Sequence, residues 1–507
     1  MSLKSNIAAG YASQLWTALI GIVLMPLYLK YMGSEAYGLI GFFVMLQAIF
    51  VVLDLGLTPT IAREAARYYG GALKALAFRQ LFRSLTVLFV CVAFAAGGAL
   101  FALAPYISEH WLKIRDLPLA EVLGAVQIMA FSVALRWMGG LFRGVISGSE
   151  RLVWLSGFNA SIATLRFGGV LVSMWLWGYT PRVFFWHQFA VAALELGWLS
   201  LKCQALIPSQ ASIAEPIGWS FAPIRPLLRF SLTIAFTSSV WILLTQSDKL
   251  VLSGILPLAD YGYFTLAVLV AGGITVITGP VSTALLPRLA RLHAEGNRDE
   301  VLRLYNQSAQ LVSVIGMSLM VTLAACSESL LYAWTGSLEA TEATAPILRL
   351  YAIGNGLLTM SAFPFYLQYA RGNLRYHLLG NVFMVLILVP AIIIAAERGG
   401  AIGAGWVWLT LNMLYLFIWV AYVHFKLEPG LHVPWVRRNV LLILGPTLLV
   451  GLALSMYHPA LQNRLAELFH TGIFAFLCLA TATIASPILR HRFLQAWPLR
   501  RVRSGQG

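Results

Sequence analysis

The run from Leu85 to Ala104, LTVLFVCVAFAAGGALFALA, contains no charged residue and lies between Arg83 and Pro105. About 20 consecutive apolar residues, rising 1.5 Å each, is the length an α-helix needs to cross the hydrocarbon core of a bilayer. Runs of this kind recur along the whole chain, with centres near Trp16, Leu46, Ala93, Met129, Phe167, Ala193, Leu243, Val270, Gly316, Leu358, Leu386, Tyr415, Leu449 and Leu477. No segment alternates polar and apolar residues as an outer-membrane barrel strand would. The expected fold is therefore all-α, a polytopic membrane bundle of about 14 transmembrane helices, whose backbone polar groups are satisfied within each helix.

Composition points the same way. Of 507 residues, 59% are hydrophobic and 11% charged, too little polar surface to clothe a water-soluble chain of this size. The formal net charge of +15 does not indicate nucleic acid, because the basic residues gather in alternate connections between the runs. With the N-terminus placed in the cytoplasm, about 25 Lys and Arg fall on inner segments and about six on outer ones. That asymmetry sets both termini in the cytoplasm, and the opening residues read as a first span rather than a cleaved leader. The outer connections, such as Tyr31 to Tyr37, Gly178 to Arg182 and Pro257 to Asp260, are short. Cys91, Cys203, Cys326 and Cys478 lie far apart inside apolar runs and read as small core residues, so neither disulfides nor a metal are expected.

A sparse internal repeat divides the chain. Ser13-Gln14-Leu15-Trp16 recurs as Ser238-Ser239-Val240-Trp241, Tyr37-Gly38 as Tyr261-Gly262, and Arg63 and Arg67 as Arg288 and Arg291, each pair offset by similar amounts. A repeat of six spans gives two lobes of parallel orientation with a binding cavity between them. The expected boundaries are a first lobe at 1–207, a Pro- and Ser-containing cytoplasmic linker at 208–229, a second lobe at 230–425, and two further helices with a basic tail at 426–507.

Ionisable residues within spans are costly and mark candidate sites. Arg166 lies deep in the fifth span, on a face shared with Asn159 and Ser173, each seven residues away; a cavity lining and a packed interface are the two readings. Arg136 and Arg143 are likewise seven apart on the fourth span. Arg143 lies near enough to the inner interface to snorkel and is a gate candidate with Arg63. Arginines on neighbouring helices would suit an anionic, phosphate-bearing substrate. In the seventh span, Asp248 and Lys249 replace the apolar Val23 and Leu24 of the first half. Adjacent residues diverge by about 100° on a helix and make poor mutual partners, so Asp248 is read as a coupling group and Lys249 as a substrate contact, with structural charge pairs to other helices as the alternative. Asp54 and Glu195 are further coupling candidates, His187 could relay protons with Glu195, and Arg349 could reach the cavity or snorkel outward. No lysine follows a glycine, and HExxH, CxxC and GxSxG are absent, so neither nucleotide hydrolysis nor a familiar catalytic centre is expected.

Several segments carry a resemblance: Asn6 to Gln14, Tyr31-Met-Gly-Ser-Glu-Ala-Tyr37-Gly38, Asp54-Leu-Gly-Leu57 with Arg63 behind it, Arg143-Gly144, and Leu286-Pro287-Arg288-Leu289 running to Glu295-Gly296-Asn297. To about residue 425 the chain resembles the polysaccharide transporter family of Wzx-type O-antigen flippases, related to multidrug extruders of the MATE type and to lipid II flippases. The resemblance implies two six-helix lobes that alternate access in a bacterial inner membrane. Its implied cargo is an undecaprenyl-diphosphate-linked oligosaccharide, moved from the cytoplasmic to the periplasmic leaflet without a cofactor. Membrane lipid, a polysaccharide polymerase and a chain-length regulator are the implied partners. A cation-coupled multidrug exporter and a membrane-embedded enzyme of glycan assembly are the alternatives.

Overall fold

The computed structural model describes residues 3–209, 213, 218, 225–456 and 463–490. Among these the chain is helical throughout, with one isolated bridge between Lys113 and Pro257 in place of any sheet. It packs as two units, 1–262 and 263–507. The first holds α1 (Leu3–Met32), α2 (Ser34–Phe50), α3 (Leu57–Tyr69), α4 (Ala75–Tyr106), α5 (Leu119–Gly148), α6 (Leu152–Ala163), α7 (Val170–Trp177), α8 (Pro181–Gln204) and α9 (Arg225–Ile255). α10 (Leu258–Ala294) begins in the first unit and runs mainly in the second. The second continues with α11 (Arg298–Ala325), α12 (Ser327–Thr335), α13 (Leu338–Ser361), α14 (Phe363–Ala370), α15 (Arg375–Leu414), α16 (Val420–Leu427), α17 (His432–Trp435), α18 (Leu442–Ser455) and α19 (Arg464–Ala485).

Every expected run centre falls on a helix or, at Phe167 and Tyr415, on a π-helical turn joining two helices. Among the described residues, 10 helices are long and apolar enough to cross a membrane. α8 and α13 fall outside that number because charged and polar residues dilute their hydropathy. The runs at Leu386 and Tyr415 merge into one segment, Arg375–Leu427, broken at Gly399 and Gly400, the latter at φ 55° and ψ −141°, a backbone region open to glycine alone. The molecule is apolar outside, with Phe94, Trp175 and Phe476 largely exposed, as a surface bathed in lipid should be. The linker expected over 208–229 lies largely outside the described residues, as does the basic tail beyond Arg490.

In the first unit, helix α5 is the hub, packed against α3, α4 and α8. Gly140, Gly144 and Gly148 recur every fourth residue and so form one bare stripe. A Cβ on Gly144 would meet Ile61 Cγ2 at 2.5 Å, and one on Gly148 would meet the Ala62 carbonyl at 2.1 Å. The stripe thus lets the α3 backbone settle on α5, which turns Arg143, beside it, toward α6 and α8. The repeated Tyr-Gly pairs also meet within this unit: a Cβ on Gly38 would lie 2.2 Å from the Leu258 carbonyl, and one on Gly262 2.6 Å from that of Ser34. Glu35, 5% exposed, accepts the backbone N–H groups of Arg115, Asp116 and Leu117 at 2.7, 3.0 and 2.8 Å, clamping the α4–α5 connection to the start of α2.

The second unit centres on α11 and α13. The Trp408 indole donates to Asn355 Oδ1 at 3.0 Å and stacks on Tyr351. α18 and α19 pack on α11, where Gly451 lies against Val321 and the Ser318 hydroxyl reaches the Cys478 carbonyl at 3.3 Å.

Candidate functional site

Within the first unit, polar side chains from α2, α5, α6, α8 and the π-helical turn Thr164–Gly169 converge among apolar helices. Glu195 on α8, 3% exposed, is the pivot. It accepts from the Arg143 guanidinium and lies 3.7 Å from Arg136 Nη2. Arg143 also donates to Asn159 Oδ1. Arg143 is therefore held inside the cluster by a carboxylate and an amide, rather than snorkelling to the interface.

Arg166 sits on the π turn. Its Nη2 reaches Gln47 Oε1 at 3.5 Å, its guanidinium lies over the Phe167 ring, and its Nε is buried without a hydrogen-bond partner. Arg136, Arg143 and Glu195 all act on it electrostatically. Three guanidiniums facing one carboxylate leave an excess of positive charge in a low-dielectric setting.

The π turn explains the polar residues around it. A π turn shifts the hydrogen-bond register by one residue and releases carbonyls from the usual ladder, and in a membrane such groups need partners. His187 Nε2 contacts the Leu165 carbonyl at 2.9 Å, Gln188 Nε2 donates to that of Arg166 at 3.0 Å, and the Tyr28 hydroxyl donates to that of Phe167. Since a carbonyl only accepts, the His187 Nε2 carries the proton there, and Nδ1 is left to meet the Ser173 hydroxyl at 2.7 Å. Both ring nitrogens are thus engaged, Nε2 with the turn and Nδ1 with α7 beyond it, and the expected proton relay from His187 to Glu195 has no bond among the described residues.

The same turn corrects the expected seam along the fifth span. One extra residue per turn rotates everything beyond it, so Asn159, Arg166 and Ser173 do not share partners: they meet α5, α2 and α8 respectively. Asp248 and Lys249 require a second correction. The Lys249 ammonium bends back to the Thr245 carbonyl at 2.8 Å and to Asp248 Oδ1 at 3.3 Å. A long side chain leaning toward its own helix N-terminus overcomes the angular divergence between neighbours. Asp248 is 2% exposed on α9, a helix packed on α2 and α3.

The remaining candidates lie elsewhere. Asp54 accepts from the Thr58 N–H at 3.2 Å and from its hydroxyl, and so caps the start of α3. Arg63 is exposed on α3. Arg349, in the second unit, donates to Ser327 Oγ at 2.8 Å and pairs with Glu328 at 2.5 Å, with 45% of its side chain exposed. It is not part of the cluster around Glu195. Sequence reasoning missed Gln47, Gln188 and Tyr28. The available signals were Gly168-Gly169 directly behind a buried Arg and the adjacent polar pair His187-Gln188 in an apolar span.

The family described as "Polysaccharide biosynthesis protein" matches residues 3–293. A "Putative O-antigen transporter" of Shigella flexneri is 19% identical over 395 residues, covering 77% of this chain and 90% of that protein. Among solved structures, the lipid II flippase MurJ in an inward closed conformation superposes with a TM-score of 0.72 at 14% identity, over 97% of this chain and 100% of the other. An inward-facing MATE multidrug resistance transporter of the MOP superfamily gives 0.64 at 12% identity, over 82% of this chain and 96% of the other.

Proposed function

Since the chain belongs to the polysaccharide biosynthesis protein family, we propose that it is a flippase for an undecaprenyl-diphosphate-linked oligosaccharide, serving O-antigen, capsule or exopolysaccharide assembly in a bacterial inner membrane. The observation that carries this reading is the cluster of Arg136, Arg143 and Arg166 around the single carboxylate of Glu195. Excess guanidinium charge among lipid-facing helices is costly unless an anion joins it, and a diphosphate offers the forked oxygens that guanidiniums bind in pairs. The similarity to an O-antigen transporter and the MurJ-like fold support the same cargo class.

In this mechanism the diphosphate enters from the cytoplasmic leaflet and is drawn to the excess charge, the glycan following through the polar interior while the polyprenyl tail stays in lipid. The 1–207 and 230–425 lobes then exchange access. Equal binding in both states would shift no population, so Asp248, paired with Lys249, is the group that responds to the driving gradient. Both termini lie in the cytoplasm in this topology, and a polymerase and chain-length regulator receive the product outside. A multidrug exporter, suggested by the MATE-like fold, would extrude cations, and the arginine excess opposes a cation.

The test is translocation of a defined lipid-linked oligosaccharide in proteoliposomes. Arg166→Ala is expected to lower flux at least tenfold with insertion intact, and Arg166→Lys to recover part of it. Full flux in the Ala variant, at matched protein level, would reduce Arg166 to a packing residue.

A further inference from the structure

A second site lies on the opposite side of α5. Between α4, α5 and α8 the first unit has an open groove, a cavity of about 880 Å³, lined by the partly exposed Phe101, Phe131, Trp186 and Phe189 and by Glu121 and Arg182 toward the helix ends. Gln127 on this wall is nine residues from Arg136, a rotation of about 180° along an α-helix, so the cavity backs onto the arginine cluster rather than joining it. Its α5 wall, Pro118 to Phe131, runs about 20 Å at 1.5 Å per residue. That is the thickness of one leaflet with its headgroup layer, half of about 40–45 Å.

The chemistry is graded along this length. Glu121 and Arg182 stand at the N-terminal ends of α5 and α8, just after the 107–118 and 178–180 connections, while Phe131 and Phe101, 5.3 Å apart between ring centroids, close the other end. Neither Glu121 nor Arg182 forms an ion pair among the described residues. An acid and a base that border one cavity without joining each other are arranged for a ligand that carries both charges. Gly124 opens the α5 wall one turn beyond Glu121: a Cβ there would meet nothing within 4 Å.

We infer that this cavity binds one zwitterionic aminophospholipid, its phosphate at Arg182, its primary ammonium at Glu121 and an acyl chain along Gly124 toward Phe131. Charge complementarity selects the head, and the apolar depth of one leaflet selects a lipid over a free sugar. A lipid seated here fills the wedge between α4 and α8 and buttresses α5, the helix that carries Arg136 and Arg143.

Native mass spectrometry of the full chain in mild detergent, titrated with phosphatidylethanolamine or phosphatidylglycerol, tests the assignment. The wild type is expected to retain one phosphatidylethanolamine with about tenfold preference over phosphatidylglycerol, the scale of one charge-assisted hydrogen bond. Glu121→Gln is expected to erase that preference, and Arg182→Gln to weaken both lipids. Gly124→Leu, which fills the groove with a better helix former, is expected to remove the bound lipid whatever its head. Equal retention of the two lipids by the wild type, or undiminished phosphatidylethanolamine on either rim variant, would overturn the inference. So would a folded Gly124→Leu protein that still carries the lipid.

Discussion

The contact between Arg143 and Glu195 offers the sharpest energetic test of the arginine cluster. Glu195 is 3% exposed, accepts from Arg143 and stands 3.7 Å from Arg136. At an effective dielectric constant near 20, even the more distant Arg136–Glu195 pair at 3.7 Å interacts by about 4.5 kcal/mol, while desolvation of both groups consumes much of that gain. Glu195→Leu strands the positive charges and is expected to destabilise the folded protein by about 3–5 kcal/mol. Arg143→Leu leaves Glu195 with Arg136 and costs less, about 2 kcal/mol. The double variant removes a charge of each sign, so its loss should fall short of the sum of the single losses by about 1.5–3 kcal/mol. Denaturant unfolding in detergent, followed by near-UV circular dichroism, measures the cycle. Additivity within about 0.5 kcal/mol would refute the coupling and move Arg143 out of the cluster.

Four further outcomes are expected. Asp248→Asn should flatten the dependence of flux on an imposed pH gradient or membrane potential while Lys249→Gln chiefly weakens substrate binding; unaltered gradient dependence in Asp248→Asn would pass coupling to Asp54 or Glu195. Cysteines placed at Ser337 and Asn463 should label from the outside of whole cells and one at Asn297 should not, and labelling at Asn297 would invert the assigned direction of transport. Gly148→Leu should cost more than about 3 kcal/mol or abolish folding, because its side chain meets the Ala62 carbonyl at 2.1 Å from the Cβ alone; wild-type thermal stability would remove the α3–α5 contact from the account. Glu35→Ala leaves three N–H groups of the 115–117 connection without their acceptor and should cost about 3–5 kcal/mol, read as faster proteolysis at that connection, which an unchanged cleavage rate would contradict.

Sequence and tertiary structure divided the work along a physical line. The helices and their places were legible because twenty apolar residues in lipid leave the backbone one way to satisfy itself, and each run centre could be read without knowing any neighbour, though 10 helices, against about 14 expected spans, are long and apolar enough to cross among the described residues. The costly residues were legible for the same reason: Arg136, Arg143, Arg166 and Glu195 stand out against an apolar background whatever packs on them. Partners were not legible, since partnership depends on helix rotation. The π turn at Thr164–Gly169 shifts the register that seven-residue spacing assumes, which sent Asn159 to Arg143, Ser173 to His187 and Arg166 to Gln47. Lys249 found Asp248 because a flexible four-carbon stem is not bound by the angle between Cα atoms. Arg349 was read from the sequence as reaching the cavity or snorkelling outward, and it is tied to Ser327 and Glu328 on the neighbouring α12. What a lone charge costs in a membrane is a property of the sequence; which charge it meets is decided only when the helices turn against one another.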